Sequence, residues 1–149
     1  MGNTWYYVDE SIVSAIDNIS LSIRSDVRAL GFKNVTKEAA IRRALIEVEE
    51  KRLHLTIDNE KLICYIEGYR TAAANYKRLS VSLDSDDARR IRLVQSKLSG
   101  RIAEIGQKVG FSKKRRYVPM MMALYIAIRS ASDNVSVSTI ESSQGEEHV

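Results

Sequence analysis

The side chains of this sequence that could do chemistry are mostly basic, and they are unevenly distributed along the chain. The 149 residues carry a net charge of +4, with 23 lysines and arginines against 19 aspartates and glutamates. Residues 77–131 hold thirteen of the basic and four of the acidic side chains, and residues 132–149 hold four acidic and no basic ones. Such a local excess of positive charge is typical of a nucleic-acid-binding surface, because each neutralised phosphate releases condensed counterions. A solvated helix face is the alternative for a charge run of this kind.

Residue types that perform catalysis or hold metals are sparse. The two histidines, His54 and His148, are far apart in sequence, and Cys64 is the single cysteine. No spacing typical of a metal site, a Cys/His dyad or a phosphate-binding loop occurs. We therefore expect a protein that is not an enzyme and has no metal, cofactor or small-molecule substrate. Cys64, in the apolar segment LICYI, is predicted to be a small core residue.

The composition also indicates the cellular compartment. A single cysteine excludes an internal disulfide framework and fits a reducing environment. The first residues lack the basic start and long apolar run of a signal peptide, and the longest apolar run, residues 117–128, is too short to span a bilayer. We expect a cytoplasmic protein that makes no membrane contact and, with 44% hydrophobic residues, can bury a core.

A strand with one buried and one polar face is predicted at the start of the basic segment. Its apolar and polar positions alternate with period two, namely Leu79, Val81 and Leu83 against Arg78, Ser80 and Ser82. Asp84 or Ser85 follows and can cap a helix, because a short side-chain oxygen accepts from the unpaired N–H groups of the first turn.

Two helices are predicted after this cap. The first spans residues 85–109 and ends at Gly110, and its apolar residues are spaced for one buried face: Ile91, Val94, Leu98, Ile102, Ile105 and Val109. The second is almost wholly apolar over residues 117–128, so it is predicted to lie in the core, with Pro119 in its first turn. A basic run lies at the start of this helix: Lys113, Lys114, Arg115 and Arg116.

The first part of the chain repeats this order. Gly31-Phe32 and Gly110-Phe111 lie 79 positions apart, and at the same offset Ala44-Leu45 falls on Ala123-Leu124. A strand at residues 5–9 and a helix at residues 11–30 are predicted before the first Gly-Phe pair. The helix after it is predicted to have Thr36 as its N-cap, to end near Arg52 and to keep its charged residues, Arg42, Arg43 and Glu47 among them, in solvent. The shared spacing predicts an internal duplication; two unrelated helical hairpins are the alternative.

The middle and the end of the chain have no counterpart in this repeat. Residues 53–57 alternate like a third strand that ends at an acidic cap, Asp58, and a helix is predicted at residues 59–76. Residues 53–76 would then connect a first unit, 1–52, to the second, 77–131. Residues 132–149 are acidic, rich in serine and poor in apolar residues, which predicts a disordered tail.

Two segments carry a resemblance to a known family. RLSVSLDSDDARRI followed by VGFSKKRRYVPMMMALYIAI, together with LGFKNVTKEAAIRRALIEVEE, resembles the ribbon-helix-helix family of MetJ/Arc-type DNA-binding proteins. The arrangement is similar to the tandem single-chain members, such as TraY-like plasmid proteins. The resemblance implies a mainly α fold with short strands. Two strand-helix-helix units, related by a pseudo-twofold axis, would be joined by the strand-helix connector.

The resemblance also implies which residues would contact DNA. In that family an antiparallel ribbon, one strand from each unit, enters the major groove, and the start of each second helix binds a phosphate. The implied base contacts are Arg78, Ser80 and Ser82. The implied phosphate contacts are Ser112, Lys113, Lys114, Arg115, Arg116, Lys33, Asn34, Thr36 and Lys37. The first strand, WYYVD, has no basic residue; Trp5 or Tyr7 would add an aromatic contact or pack against a neighbour.

The implied function is sequence-specific binding of double-stranded DNA. The protein would act as a transcriptional repressor, or as an accessory protein in partition or transfer of plasmid or phage DNA, with self-association left open. The alternative, from another class, is a non-enzymatic helical adaptor or oligomerisation protein whose long helices bind a partner protein, the basic run being merely solvated.

Overall fold

The structure, a computed structural model, describes residues 2–105 and 118–147, with side chains described for residues 4–105 and 118–135. Within these ranges the chain is mainly helical, as predicted, with six helices and one two-stranded antiparallel sheet. The elements in chain order are β1 (Gly2–Tyr7), α1 (Glu10–Ser22), α2 (Lys37–Lys51), α3 (Leu53–Thr56), α4 (Asn59–Ala74), β2 (Arg78–Leu83), α5 (Ser85–Ile105) and α6 (Met120–Glu147).

Four helices begin at a side-chain cap that the sequence makes recognisable. Asp9, Thr36, Asp58 and Asp84 each accept a hydrogen bond from the backbone N–H three residues later, at 2.7 to 3.2 Å. Asp84 forms a reciprocal pair, because its own N–H donates to the carboxylate of Asp87 at 3.4 Å. The predicted caps at residues 36, 58 and 84 are therefore confirmed, and each places the start of its helix.

Helix α6 is the centre of the core. It packs against α1, α2, α4 and α5 and against β1. Leu124 in α6 and Leu45 in α2 are both fully buried, which confirms that the apolar helix lies in the core beside its counterpart. Pro119 lies just before α6 rather than within its first turn, and its carbonyl accepts from the N–H of Ala123. This position suits proline, which has no N–H to donate to a helix.

Helix α5 covers this centre with the predicted apolar stripe. Ile91, Val94, Leu98, Ile102 and Ile105 are all buried, so the period of the pattern is confirmed. The remaining part of the predicted helix, with Val109 and Gly110, lies outside the described residues, as does the Gly110-Phe111 pair of the proposed repeat.

Close packing of α4 on α6 depends on Gly68. A Cβ atom at this position would lie 2.6 Å from the hydroxyl oxygen of Tyr125 and 2.9 Å from a guanidinium nitrogen of Arg129. Beside this contact, the ring of Tyr69 meets those of Tyr125 and Tyr7 edge to face, with centroids 5.8 and 5.7 Å apart. The aromatic row fixes α4 between α6 and β1.

The first helix is shorter than predicted. The sequence predicts residues 11–30, whereas α1 ends at Ser22 and residues 23–31 form successive turns with i→i−3 hydrogen bonds. The hydroxyl of Ser22 donates to the carbonyl of Ile19 at 2.7 Å, a local bond of the kind that competes with helix continuation. Ile23 and Val27 are buried all the same, so apolar residues four apart face the core without an α-helix. Gly31 ends the turns with φ +88°.

The third strand predicted at residues 53–57 is wrong, because these residues form the single helical turn α3. Leu55 is 47% exposed, whereas His54, on the predicted polar face, is buried. A lone strand here would leave its N–H and C=O groups unpaired. In the turn, by contrast, Leu55 N–H donates to Arg52 and Ile57 N–H to Leu53.

Two further predictions are corrected. Cys64 is exposed rather than part of the core, because the buried face of α4 is formed by Leu62, Tyr65, Ile66 and Tyr69. The segment predicted as a disordered tail has a helical backbone as far as Glu147, continuous with α6. Its first residues are held by α4 and α2: Asp133 accepts from the hydroxyl of Tyr65, and Asn134 donates to Glu47 at 3.5 Å.

Candidate nucleic-acid interface

The candidate interface is built on the ribbon that β1 and β2 form. The strands pair antiparallel, with Trp5 opposite Ser80 and Tyr7 opposite Arg78. Because directly paired residues lie on the same face of a sheet and successive residues alternate, positions 3, 5, 7, 78, 80 and 82 share one face. We call this the outer face. The alternation along β2 places Arg78, Ser80 and Ser82 on this face, and the register adds Trp5 and Tyr7 of β1 beside them.

The inner face of the ribbon is turned to the helices. Tyr6, Val81 and Leu83 are buried, which confirms the alternation predicted for β2 at two of its three apolar positions. Leu79 is the exception, because it shares this face but is 48% exposed. It lies opposite Tyr6 near the start of β2, and of this pair only Tyr6 is buried.

The outer face exposes a stacked arginine. Arg78 and Ser82 are exposed, and Ser80 is half-buried. The guanidinium carbon of Arg78 lies over the ring of Trp5, 4.9 Å from its centroid, and Trp5 is itself 43% exposed. Stacking uses the face of the guanidinium and leaves its N–H donors at the edge. The pair therefore positions the arginine while its donors face outward.

Tyr7, the other aromatic residue on the outer face, packs against a neighbouring helix. It is half-buried, and its ring packs edge to face against Tyr69 of α4. Of the two aromatic contacts that the sequence suggested, Tyr7 packs against a neighbour, and Trp5 stays accessible beside Arg78. The pairing of Trp5 with Arg78 needs the ribbon register and could not be seen in the sequence.

The start of α2 holds the second group of candidate residues. Thr36 caps the helix, Lys33 and Asn34 are exposed, and Lys37 is half-buried. The first turn also contains Glu38. Burial raises the pKa of Tyr6 on the inner face of the ribbon, and the negative charge of Glu38 raises it further. The start of α2 therefore lies close to the inner face, and Glu38 offsets part of the positive charge of Lys33 and Lys37.

The other predicted phosphate contacts lie outside the described residues. These are Ser112, Lys113, Lys114, Arg115 and Arg116, between α5 and α6.

An ionic cluster that the sequence did not indicate joins α2 to the start of α5. Arg42, predicted to be in solvent, donates to the carboxylate of Asp87 at 3.1 Å, pairs with Asp84 at 3.0 Å and donates to the carbonyl of Leu30 at 3.0 Å. Asp87 is fully buried, so it needs this partner. The backbone N–H of Asp87, which donates to the carboxylate of Asp84, and the positive charge of Arg42 lower the pKa of Asp84. Arg42 is thus committed to the fold.

On the same helix, the prediction that Glu47 lies in solvent is also wrong. Glu47 is buried and pairs with Arg43 at 2.7 Å and with Lys51 at 3.0 Å. Charged residues one turn apart on α2 therefore form structural pairs, and they are not available to a ligand.

A polar cavity of about 480 Å³ lies between α1 and α6. The guanidinium of Arg129 borders it and stacks over the rings of Tyr65 and Tyr125, at 4.9 and 5.9 Å from their centroids. Glu10 and Asp133 supply opposite charge on its walls. Asp133 is also paired with Lys61 at 3.4 Å, so the charges at this cavity single out neither an anion nor a cation as its ligand.

Two tyrosine–aspartate hydrogen bonds flank this cavity. The hydroxyl of Tyr125 donates to Asp9 at 2.8 Å, and that of Tyr65 donates to Asp133. Burial, followed by the bond to Asp9, raises the pKa of Tyr125 to about 12, and burial with Asp133 raises the pKa of Tyr65 further. Both hydroxyls are therefore protonated donors that hold α6 to the start of α1 and to α4.

Among the described residues, no group of three His, Cys, Asp or Glu side chains is placed to hold a metal ion. No helix in these same ranges is long and apolar enough to cross a membrane. Compared with protein-family models, curated proteins and solved structures, the chain gives no significant match.

Proposed function

We propose that this protein binds double-stranded DNA in a sequence-specific manner, with the β1–β2 ribbon in the major groove. The observation that supports this most directly is the two-stranded antiparallel ribbon, which carries Arg78, Ser80 and Ser82 on its outer face, away from the helices. A two-stranded ribbon fits a major groove about 12 Å wide, where arginine pairs bidentately with guanine and serine with several base edges.

The proposal includes two groups of phosphate contacts. Lys33, Asn34, Thr36 and Lys37 stand at the start of α2, where backbone N–H groups and the helix dipole favour an anion. Ser112 and the basic residues at positions 113–116 are included on the strength of the sequence alone. Contacts of this kind would set the orientation on the duplex without carrying sequence information.

The proposal includes a tandem arrangement of two ribbon-helix-helix-like units. One would consist of β1, α1 and α2 and the other of β2, α5 and α6, with α3 and α4 as the connector. One chain would then supply both strands of the ribbon. In the cytoplasm such a protein would repress a promoter, or organise plasmid or phage DNA at a partition or transfer site, since these roles share the same contacts.

The test is Arg78→Ala, measured on a preferred site and on random duplex. The preferred site is obtained by selection from a random DNA library. We expect a loss of about 1 to 3 kcal/mol on that site and almost none on random duplex, because a base contact contributes only where its base is present. Arg92→Ala is the matched control, since Arg92 is an exposed arginine on α5, outside the ribbon. Both variants should unfold like the wild type.

The salt dependence completes the test. Binding to random duplex should fall steeply as salt rises, and changing Lys113 and Lys114 to alanine should flatten that slope by up to about two units. Equal losses for Arg78→Ala on both DNAs would make Arg78 a phosphate contact. If the full chain binds no duplex at any salt concentration, the proposal fails and the helical adaptor becomes the better explanation.

A further inference from the structure

The two strands of the ribbon are equivalent in backbone position. Asp9 follows β1 and Asp84 follows β2, and each carboxylate accepts from the N–H three residues later at 2.8 Å. Tyr6 and Val81, three residues before these caps, are both buried on the inner face. Counting from the caps therefore matches residues 3–7 of β1 with residues 78–82 of β2, 75 positions later.

The register shows which residue pair lies at the centre of this equivalence between the two strands. Trp5 lies directly opposite Ser80, and both stand four residues before their caps, so a pseudo-twofold axis passes between them. The axis relates Arg78 at one end of the ribbon to position 3 at the other, and it relates Tyr7 to Ser82. These are the three equivalent pairs of the outer face.

None of the three pairs is matched in chemistry. Trp5 is a half-exposed aromatic ring, whereas Ser80 carries a hydroxyl. Tyr7 is packed against Tyr69, whereas Ser82 is exposed. Arg78 offers a guanidinium held by Trp5, whereas position 3 is an asparagine. The backbone has an approximate twofold axis that the outward side chains do not obey.

We propose that one chain recognises a duplex site without twofold symmetry, with guanine preferred only at the end that Arg78 contacts. This inference rests on the proposed DNA binding. Where two identical strands form a reading element, the symmetry of the site mirrors that of the protein. Here a palindrome would present the same base edges at both ends of the ribbon, but the arginine that prefers guanine stands at one end alone.

The experiment uses the full chain and selection from a random duplex library. We expect a non-palindromic enriched site, bound by one chain, in which guanine is preferred at one end. Arg78→Asn makes this position the same residue as its equivalent, Asn3. It should weaken the enriched site roughly 10- to 100-fold and remove the guanine preference at that end alone. Arg92→Asn, an exposed arginine of α5, is the matched control and should change neither.

Three outcomes would overturn the inference while leaving DNA binding in place. They are a palindromic site bound by one chain, duplex binding with no enriched site, and loss of base preference at both ends in Arg78→Asn. Absence of binding to any duplex would instead overturn the proposed function itself. Thermal unfolding of each variant shows whether a loss of binding reflects a loss of fold.

Discussion

The two strand–cap–helix segments use the same local device and attach it to different parts of the molecule. One oxygen of Asp9 caps α1, and the other accepts from the hydroxyl of Tyr125 in α6. One oxygen of Asp84 caps α5, and the other pairs with Arg42 in α2. We call residues 1–52 and 77–135 the two halves of the chain, and each cap is bonded to a helix in the half that does not contain it. The capping is a property of the local sequence, and the second bond joins the two halves.

The two junctions differ in their electrostatics. Arg42 and the fully buried Asp87 make the junction at Asp84 an ionic one. The junction at Asp9 is a hydrogen bond from a tyrosine whose pKa is raised to about 12, so the donor is neutral. Loss of a partner should therefore cost most where it leaves a buried charge behind.

The largest effect is expected from Arg42→Ala. It removes the main partner of buried Asp87 together with bonds to Asp84 and Leu30. We expect the free energy of unfolding to fall by about 3 to 5 kcal/mol, measured by urea denaturation. Arg89→Ala, which breaks an exposed pair with Glu49, should change stability little. If the two variants were equally stable, the Arg42 cluster would not join the halves.

Two core positions that the predicted repeat aligns should respond alike. Leu45 and Leu124 lie 79 residues apart and are both fully buried. Leu45→Ala and Leu124→Ala should each reduce stability by about 2 to 5 kcal/mol, because each leaves a cavity in a packed core. Leu21→Ala, at a leucine that is 60% exposed, is the control and should have a small effect. A small effect at either buried leucine would contradict the shared core.

Smaller losses of stability are expected at the helix caps, where a cap bonded only to its own helix can be compared with one that also bonds a distant helix. Asp58 caps α4 at the surface, and Asp58→Ala should cost about 1 kcal/mol, the usual value of a cap. Asp9→Ala should cost about 1 to 3 kcal/mol, because it also leaves the hydroxyl of buried Tyr125 without its acceptor. Chemical denaturation measures both. Tyr125→Phe should bring the effect of Asp9→Ala down to that of Asp58→Ala; if it does not, the two oxygens of Asp9 do not act separately.

The smallest effect, a dependence on pH, comes from the connector between the halves. His54 in α3 is buried, and its Nδ1 atom has no hydrogen-bond partner among the described residues. Burial is the main cause that lowers the pKa of His54 from the usual 6.5, and the positive charges of Lys97 and Arg52 lower it further. The unfolded chain then binds the proton more readily, so stability should fall as the pH drops below about 6.5.

Urea denaturation at pH 7.5 and pH 5.5 measures this dependence on His54. The variant His54→Gln should lose less stability than the wild type over the same interval, because its side chain does not titrate. An equal loss in both proteins would assign the effect to other groups.

The sequence by itself determined the features that depend on residues two to four positions apart. It predicted the caps at Thr36, Asp58 and Asp84, the polar and apolar faces of β2, and the buried stripe of α5. It also placed the apolar helix in the core, since an almost wholly apolar segment has no polar face to expose. These features follow from the strand and helix periods and from the unpaired N–H groups of a first turn.

The tertiary structure alone decided which partner each of these elements meets. The alternation at residues 53–57 lacks a neighbouring strand and became the helical turn α3, and the apolar spacing after Ser22 was satisfied by turns. Arg42 and Arg78 are both arginines on polar faces by sequence. The approach of α5 buries the first against Asp87, and the pairing of β1 with β2 leaves the second exposed on Trp5. Partners distant in sequence set these outcomes, because burial and pairing depend on contacts that no local pattern contains.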